Sequence, residues 1–287
     1  MLATFVSLLF DGLGYGMLLF VLSVGLSVTL GMMNFVNLAH GAFAMVGGYV
    51  AITLMHHAGW PFLATLPIAF LAAAAASVVV ERVLYRRLYR ASDLDQSLLT
   101  IGIVFMSIAI AAYVFGTNQQ PVQLPDWLRG REVIGDFSFG VYRLFLIGAA
   151  LIITVLMVLG LDYTRFGAQV RACVDNQRMA RGLGLNVDNI FTLTFALGSG
   201  LAGLGGALAI EPMGLDPNFA FKYLVYMLIV VAVGGLASIR GAFVTAALLG
   251  VIDIFSKYYI PQVGSFVLYL VMVGLLVWRP AGIFARR

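Results

Sequence analysis

Long apolar runs separated by short polar segments dominate this sequence of 287 residues. A membrane-spanning helix needs about 20 apolar residues, and nine runs reach or approach that length. They lie at 5–30, 38–55, 62–81, 97–115, 143–161, 190–210, 223–236, 242–256 and 264–278. The pattern predicts an all-α integral membrane protein, a single domain over residues 1–287 with a bundle of about eight to nine transmembrane helices.

Composition agrees with this prediction. Hydrophobic residues make up 62% of the chain and charged residues only 10%, whereas soluble domains carry about 25% charged residues. The net charge of +4 is therefore interpreted as a signal of membrane orientation and not of nucleic-acid binding. A single cysteine, Cys173, excludes an internal disulfide and a cysteine-rich metal site.

Arginines orient the predicted bundle. They concentrate in three polar segments, as Arg82, Arg86, Arg87 and Arg90, then Arg165, Arg171, Arg178 and Arg181, and finally Arg279, Arg286 and Arg287. With nine spans all three segments fall on one side, which is cytoplasmic by the positive-inside rule. Residues 162–189 are then cytoplasmic, residues 116–142 form an external loop, and the N-terminus is outside. If the region around residues 33–43 is re-entrant, the number of spans becomes eight and the N-terminus lies on the cytoplasmic side.

The first Lys or Arg of the chain is Arg82. Because a secretory signal peptide begins with a basic region, the first apolar run is interpreted as a retained span.

A polar cluster interrupts the apolar pattern in "MNFVNLAHGAF". On one helix, Asn34, Asn37 and His40 would follow each other in steps of three and share about a third of the circumference. Gly41 follows, which favours a short broken or re-entrant helix. Two interpretations carry equal weight: a path for a polar solute, or hydrogen bonds that hold neighbouring helices together. A lone histidine with no second ligand nearby is a poor metal site.

The longest polar segment predicts an amphipathic cytoplasmic helix. Its apolar stripe comprises Phe166, Val170, Cys173 and Val174. Its charged face comprises Arg171, Asp175 and Arg178, and Gly182 and Gly184 end it. Such a helix suits docking to a soluble partner or a position among lipid headgroups. The small apolar residues favour docking.

Two glycine-rich stretches, residues 198–208 and 233–243, lack the Lys-Ser/Thr of a phosphate loop. Small residues at steps of three and four permit close helix contact. The stretches are therefore interpreted as packing surfaces, with candidate positions Gly198, Gly203, Gly206, Gly234 and Gly235. Asp253 and Lys257, four residues apart, predict a neutralising pair.

Four blocks carry a family resemblance. They are "GLSVTLGMMNFVNLAHGAFAMVGGYVA", "TRFGAQVRACVDNQRMARGLGLNVDNIFTLTFALGSGLAGLGGAL", "LVYMLIVVAVGGLASIRGAF" and "WRPAGIF". In this order they resemble the LivH-type permeases of branched-chain amino acid ABC importers. The family's "NFAHG" core is matched by residues 37–41, with Leu38 in place of phenylalanine, a mild apolar change.

The resemblance implies a permease subunit of an ATP-driven importer in the bacterial inner membrane. Implied partners are a LivM-type second permease, two cytoplasmic ATPases, a periplasmic binding protein and membrane lipid. ATP and Mg would be bound by the ATPases and no cofactor by this chain, which would not be an enzyme.

The resemblance also assigns roles to residues. The solute path would involve Asn34, Asn37, His40 and Gly41. Coupling to an ATPase would involve Arg165, Arg171, Asp175, Asn176, Arg178, Met179, Ala180 and Gly184. His40 would contact the solute or, with slightly more weight, brace the break between helices.

Two rival functions have less support. An ion-coupled secondary transporter usually needs a carboxylate or an ion site inside the membrane, and Asp11, Glu81, Asp162 and Asp253 all lie near predicted helix ends. A membrane enzyme needs a nucleophile–base pair, a metal cluster or paired carboxylates, and none stands at usable spacing. Within the importer interpretation, urea or short amides remain alternative solutes.

Overall fold

The computed structural model describes residues 2–33, 35, 37–89, 91–122, 124–135, 137–236, 238–279 and 282–284. Within these ranges the chain forms eleven α-helices and one two-stranded hairpin. The helices are α1 (Leu2–Met33), α2 (His40–Ala58), α3 (Phe62–Val83), α4 (Asp93–Phe115), α5 (Val141–Asp162), α6 (Arg165–Asp175), α7 (Gln177–Gly182), α8 (Val187–Met213), α9 (Phe219–Gly234), α10 (Ile239–Tyr259) and α11 (Gly264–Trp278). The antiparallel strands are β1 (Arg131–Ile134) and β2 (Phe137–Gly140).

Each of the nine predicted apolar segments coincides with a helix, α1–α5 or α8–α11. Among the described residues, six helices are long and apolar enough to cross a membrane, namely α1, α3, α4, α5, α8 and α10. The helices α9 and α11 are apolar but shorter. The fold is thus that of a multi-pass membrane protein.

The chain between α1 and α2 corrects one prediction. The helix α2 begins at His40, and Asn37 lies outside any helix, so these two residues do not share one helical face. Asn34 lies outside the described residues. The side chains of Asn37 and His40 bond to different elements, a 3-10 turn and α1 respectively. Because the two side chains are bonded in different places, the segment does not continue α2 as one helix.

The predicted external loop contains the β1–β2 hairpin, which hydropathy did not predict. It packs on the start of α1, where the Phe10 and Phe139 rings lie 4.8 Å apart. Asp11 of α1 lies 3.8 Å from Arg131 of the hairpin and 3.8 Å from Arg143 of α5. The hairpin end of the bundle is defined here as the end that holds β1 and β2. The arginine end is the opposite end of α5, which holds α6 and α7.

Side-chain caps delimit the helices at the arginine end. Thr164, Asn176 and Asn186 accept backbone N–H bonds at the first turns of α6, α7 and α8, at 3.2, 2.9 and 3.1 Å. Each cap satisfies a backbone donor that has no partner inside its own helix. The capping residues therefore divide this polar segment into short helices.

The centre of the bundle is α8, which contacts α1, α2 and α3. Glycines make these contacts close. A Cβ atom added at Gly198 would lie 2.8 Å from the Gly25 carbonyl oxygen of α1, and one at Gly203 would lie 2.8 Å from the Ala69 carbonyl oxygen of α3. One at Gly206 would overlap the Ala44 carbonyl of α2. Backbones in direct contact leave no room for side chains between them.

The other two candidate packing glycines lie where α9 turns into α10. A Cβ atom at Gly234 would lie 2.8 Å from the backbone nitrogen of Ala242. Gly235 has a φ of 93°, a conformation that side chains disfavour. These two glycines permit a tight turn between consecutive helices and do not lie between distant ones.

We expect Gly206→Ala to destabilise the fold by about 1–3 kcal/mol, because the new methyl group forces α8 away from α2. Reversible unfolding of the purified protein in mixed micelles measures this change.

Gly102→Ala in α4 is the matched control. An added Cβ there meets nothing within 4 Å, so we expect no loss, or a gain of up to about 1 kcal/mol from helix propensity. Equal destabilisation by both substitutions would contradict the packing role of Gly206.

Candidate functional site

His40 connects the start of α2 to α1. Its side chain is fully buried, and Nε2 lies 3.0 Å from the carbonyl oxygen of Leu22. Because a carbonyl only accepts, Nε2 carries the hydrogen and Nδ1 is the free acceptor. A Cβ atom at Gly25 would lie 2.9 Å from Cε1 of this ring. The imidazole therefore lies directly at the contact between α1 and α8.

Asn37 is hydrogen-bonded to the turn that follows α3. Its side chain is buried, and Oδ1 accepts a hydrogen bond of 3.4 Å from the hydroxyl of Tyr85. Within the described part of the chain, Asn37 Nδ2 and His40 Nδ1 have no hydrogen-bond partner. Buried polar atoms are normally paired. A donor and an acceptor are thus left available within four positions of each other.

Gly41 brings the first turn of α2 against α9. An added Cβ would lie 2.9 Å from the Ala220 Cα atom. Of the four residues predicted for the solute path, the structure therefore places Asn37, His40 and Gly41 in one buried region, and Asn34 is not described.

A charged cluster at the arginine end was missed by sequence reasoning. Glu81 at the end of α3 is fully buried. Its Oε1 lies 3.2 Å from Nε of Arg86 and accepts a 2.9 Å bond from the Tyr89 hydroxyl. Its Oε2 lies 2.8 Å from the hydroxyl of Thr192 in α8. The adjacent acidic and basic residues after an apolar run were a signal for this cluster, but the arginines were used only for orientation.

The Tyr89 hydroxyl is a hydrogen-bond donor at this site. Burial, together with the negative charge of Glu81, raises the pKa of Tyr89 above its usual range. The hydroxyl therefore stays protonated and donates to the Glu81 carboxylate.

The predicted cytoplasmic helix is two helices, which corrects the expectation that it continues to Gly182. The helix α6 ends at Asp175, Asn176 adopts an extended φ of −155°, and α7 begins at Gln177. The Asn176 side chain caps α7, which explains the break. Arg171 and Arg178 consequently lie on different helices and do not form one continuous charged face.

The predicted apolar stripe holds in part. Val170 and Cys173 are buried and Phe166 is partly buried, whereas Val174 is 37% exposed. The buried residues face the contacts of α6 with α5 and α8. The apolar face of α6 is therefore covered by the protein itself.

The predicted coupling residues differ in exposure. Arg171 donates to the carbonyl of Leu161 at the end of α5, and Ala180 is buried. Gly184 has a φ of 82° in the turn after α7. The remaining predicted residues are exposed: Arg165, Asp175, Asn176, Arg178 and Met179. These exposed residues lie at the two ends of α6 and in the first turn of α7.

The hairpin end holds a surface recess of about 530 Å³. Its lining includes Asp11, Tyr142, Arg143 and Glu211, but neither Asn37 nor His40. Elsewhere, Lys257 Nζ lies 2.6 Å from Asp253 Oδ2, the ion pair predicted from their spacing. In the described ranges, no group of three or more His, Cys, Asp or Glu side chains is placed to hold a metal ion.

Comparison with known proteins now identifies the family. The family described as "Branched-chain amino acid transport system / permease component" matches residues 8–276. The chain belongs to this family. No solved structure is significantly similar to it.

Three curated permease proteins are similar to this chain in sequence. The permease protein BraD of Pseudomonas aeruginosa is 30% identical, over 97% of this chain and 95% of its own length. LivH of Escherichia coli is 28% identical, over 98% of this chain and 96% of its own length. LivM of Escherichia coli is 26% identical, over 93% of this chain and 68% of its own length. All three are named as high-affinity branched-chain amino acid transport system permease proteins.

We expect Cys173 in the native protein to react with N-ethylmaleimide at least about tenfold more slowly than an exposed thiol. Burial excludes the reagent and raises the pKa of the Cys173 thiol, so less of the reactive thiolate forms near neutral pH. Mass spectrometry of labelled protein at increasing pH measures the rate.

Ala168→Cys in a Cys173→Ser background provides the exposed thiol, because Ala168 lies on the solvent side of α6. Rapid labelling of native Cys173, equal to that of the control, would show that α6 does not pack as described.

Proposed function

We propose that this chain is a permease subunit of an ATP-driven importer for branched-chain or related amino acids in the bacterial inner membrane. The observation that carries this proposal is the family match over residues 8–276. Similarity to both LivH and LivM supports pairing with a second, related permease. Relatives named for branched-chain amino acids favour that solute class over urea and short amides, and a multi-component transport system over an ion-coupled carrier.

The choice between eight and nine membrane crossings depends on whether α2 crosses completely. The positions of its two ends support a complete crossing, and so nine. The start of α1 lies at the hairpin end, since Asp11 is near Arg131. The start of α2 lies at the opposite end, where Asn37 meets Tyr85. Its last turn returns to the hairpin end, where Met55 and His56 line a second recess together with Pro125 of the external loop. A helix of 19 residues spans about 28 Å, close to the hydrocarbon thickness. The proposed orientation places the hairpin end outside and the arginine end in the cytoplasm.

The buried break between α1 and α2 is proposed to serve the solute path. His40 braces the segment through its bond to Leu22, which leaves the amide of Asn37 as the group that faces the path. Among the described residues Asn37 Nδ2 has no hydrogen-bond partner. This supports the role, since a structural amide in hydrocarbon normally has its partners.

The surface of α6 and α7 is proposed to dock on a cytoplasmic ATPase, which binds ATP and Mg while this chain binds no cofactor. Docking is favoured over a position among headgroups because the apolar face of α6 is already buried against α5 and α8. The exposed Arg178 and Met179 supply a charge and an apolar contact. A periplasmic binding protein would meet the hairpin end, where the charged recess opens.

Purification in mild detergent tests the proposal. We expect the chain to co-purify with a second permease and two ATPases, and the reconstituted complex to accumulate leucine when ATP and a loaded binding protein are supplied. Arg178→Glu reverses charge on the docking surface and is expected to release the ATPases.

Arg129→Glu, beside the recess at the hairpin end, is the matched charge reversal and is expected to leave the ATPases bound. A chain that purifies alone and transports without ATP would overturn the importer proposal.

We expect Asn37→Leu to reduce leucine uptake by about tenfold or more while the four-subunit complex still forms. Leucine has the same number and branching of side-chain heavy atoms as asparagine, although it is bulkier, and it offers no hydrogen bond to a polar solute in a low-dielectric path. Uptake in proteoliposomes, normalised to assembled complex, measures the effect.

Tyr85→Phe is the control, because it removes only the hydroxyl that Asn37 Oδ1 accepts. If Asn37→Leu prevents assembly instead, or if Tyr85→Phe reduces uptake as strongly, the amide has a structural role.

A further inference from the structure

Glu81 is a buried carboxylate in a chain with few charges. Its side chain has no solvent exposure and is surrounded by donors from two parts of the chain, Arg86 and Tyr89 after α3 and Thr192 in α8. Burying a carboxylate is unfavourable unless its charge is balanced and its oxygens are hydrogen-bonded. Arg86 is 35% exposed, so the charge balance is made at the boundary with solvent. The site is thus stable only while all these elements stay together.

One line of bonds leads from Glu81 to the docking surface. The hydroxyl oxygen of Thr192 lies 2.9 Å from the backbone carbonyl oxygen of Asp188 at the start of α8. The carboxylate of Asp188 lies 2.9 Å from the guanidinium of Arg181 in α7. Glu81 is therefore connected to α7 through two residues of α8.

A second line leads from Glu81 to the proposed solute path. The Tyr89 ring packs edge-to-face on Phe35, with centroids 5.5 Å apart. Phe35 also contacts the Tyr85 ring at 4.8 Å, and the Tyr85 hydroxyl donates to Asn37. The carboxylate thus lies between the docking surface and the break at Asn37.

Thr192 has two alternative acceptors. Its hydroxyl carries a single hydrogen, and lies 2.8 Å from Glu81 Oε2 and 2.9 Å from the Asp188 carbonyl. The second bond, to a carbonyl four residues back, is the ordinary one for threonine in a helix. A small displacement of α8 therefore exchanges one bond for the other without leaving the hydroxyl unpaired.

We propose that Glu81 and Thr192 are the positioning residues that carry movement of α6 and α7 to the Asn37–His40 segment. When the docking surface shifts the start of α8, the Thr192 hydroxyl changes its acceptor. The Glu81 cluster then repositions Tyr89 and, through its ring contact with Phe35, the segment that contains Asn37. This inference rests on the proposed function and names the residues that couple its two sites.

Thr192→Val in the complete reconstituted complex tests the inference. Valine keeps the shape of threonine but removes the hydroxyl. We expect leucine transported per ATP hydrolysed to fall about tenfold, with basal ATP hydrolysis unchanged. The melting temperature of the complex should fall by only a few degrees, because Arg86 and Tyr89 still bond the Glu81 carboxylate. Thr192→Ser restores the hydroxyl and is expected to restore most of the ratio.

Thr194→Val is the matched control. Thr194 is buried in the same helix, but among the described residues its hydroxyl bonds only to the Ile190 carbonyl of that helix. We therefore expect a ratio within about twofold of wild type. Glu81→Gln is the second variant, and combining it with Thr192→Val should add little further loss, because both remove the same connection.

The outcomes separate the two proposals. A wild-type complex without ATP-dependent uptake overturns the proposed function. A functional wild type whose Thr192→Val variant keeps a normal transport-to-ATP ratio overturns the inference. So does a loss of ratio that only parallels a loss of melting temperature, or a loss that serine does not restore.

Discussion

The direct backbone contact of α8 with α1, α2 and α3 is the constraint on which the rest of the structure depends. Gly198, Gly203 and Gly206 bring α8 to distances that no side chain permits. Between helices in lipid, such contact replaces the hydrophobic driving force available in water. It also fixes where His40 lies, because the imidazole occupies the contact between α1 and α8 at Gly25. The break before α2 is positioned by packing as much as by its own hydrogen bonds.

Polar bonding is concentrated at the two ends of this glycine-packed centre. Asp11 lies between Arg131 and Arg143 at the hairpin end, and Glu81 gathers its donors at the arginine end. Packing contacts between smooth helix surfaces allow small displacements, whereas hydrogen bonds change one at a time. Close packing therefore holds the middle of the bundle, and the bonds most sensitive to helix position lie at its two ends.

Hydropathy was sufficient to predict the positions of the apolar helices, since each predicted run matches one. It did not locate the ends set by side chains. The break at Asn176 follows from a cap that the asparagine itself supplies, a signal present in the sequence but outweighed by the continuous apolar stripe. The acidic and basic residues after the third apolar run signalled part of the Glu81 cluster. Its contact with Thr192 could not be predicted, because Thr192 is 111 positions away and only the fold brings the two together. Asn37 Nδ2 and His40 Nδ1 have no hydrogen-bond partner among the described residues, and this too could be found only in the folded structure.

The contacts of α1 have a consequence for the order of synthesis. This helix leaves the ribosome well before α8 and α10, yet it packs against both. Helices of membrane proteins insert individually and associate afterwards. Gly12 and Gly16 face α10, and Gly25 faces α8. Both glycine surfaces of α1 therefore lack their partner helices until α8 and α10 have been made. The mean hydropathy of α1, 2.0, keeps it inserted during that interval, so membrane topology is established before the core of the protein exists.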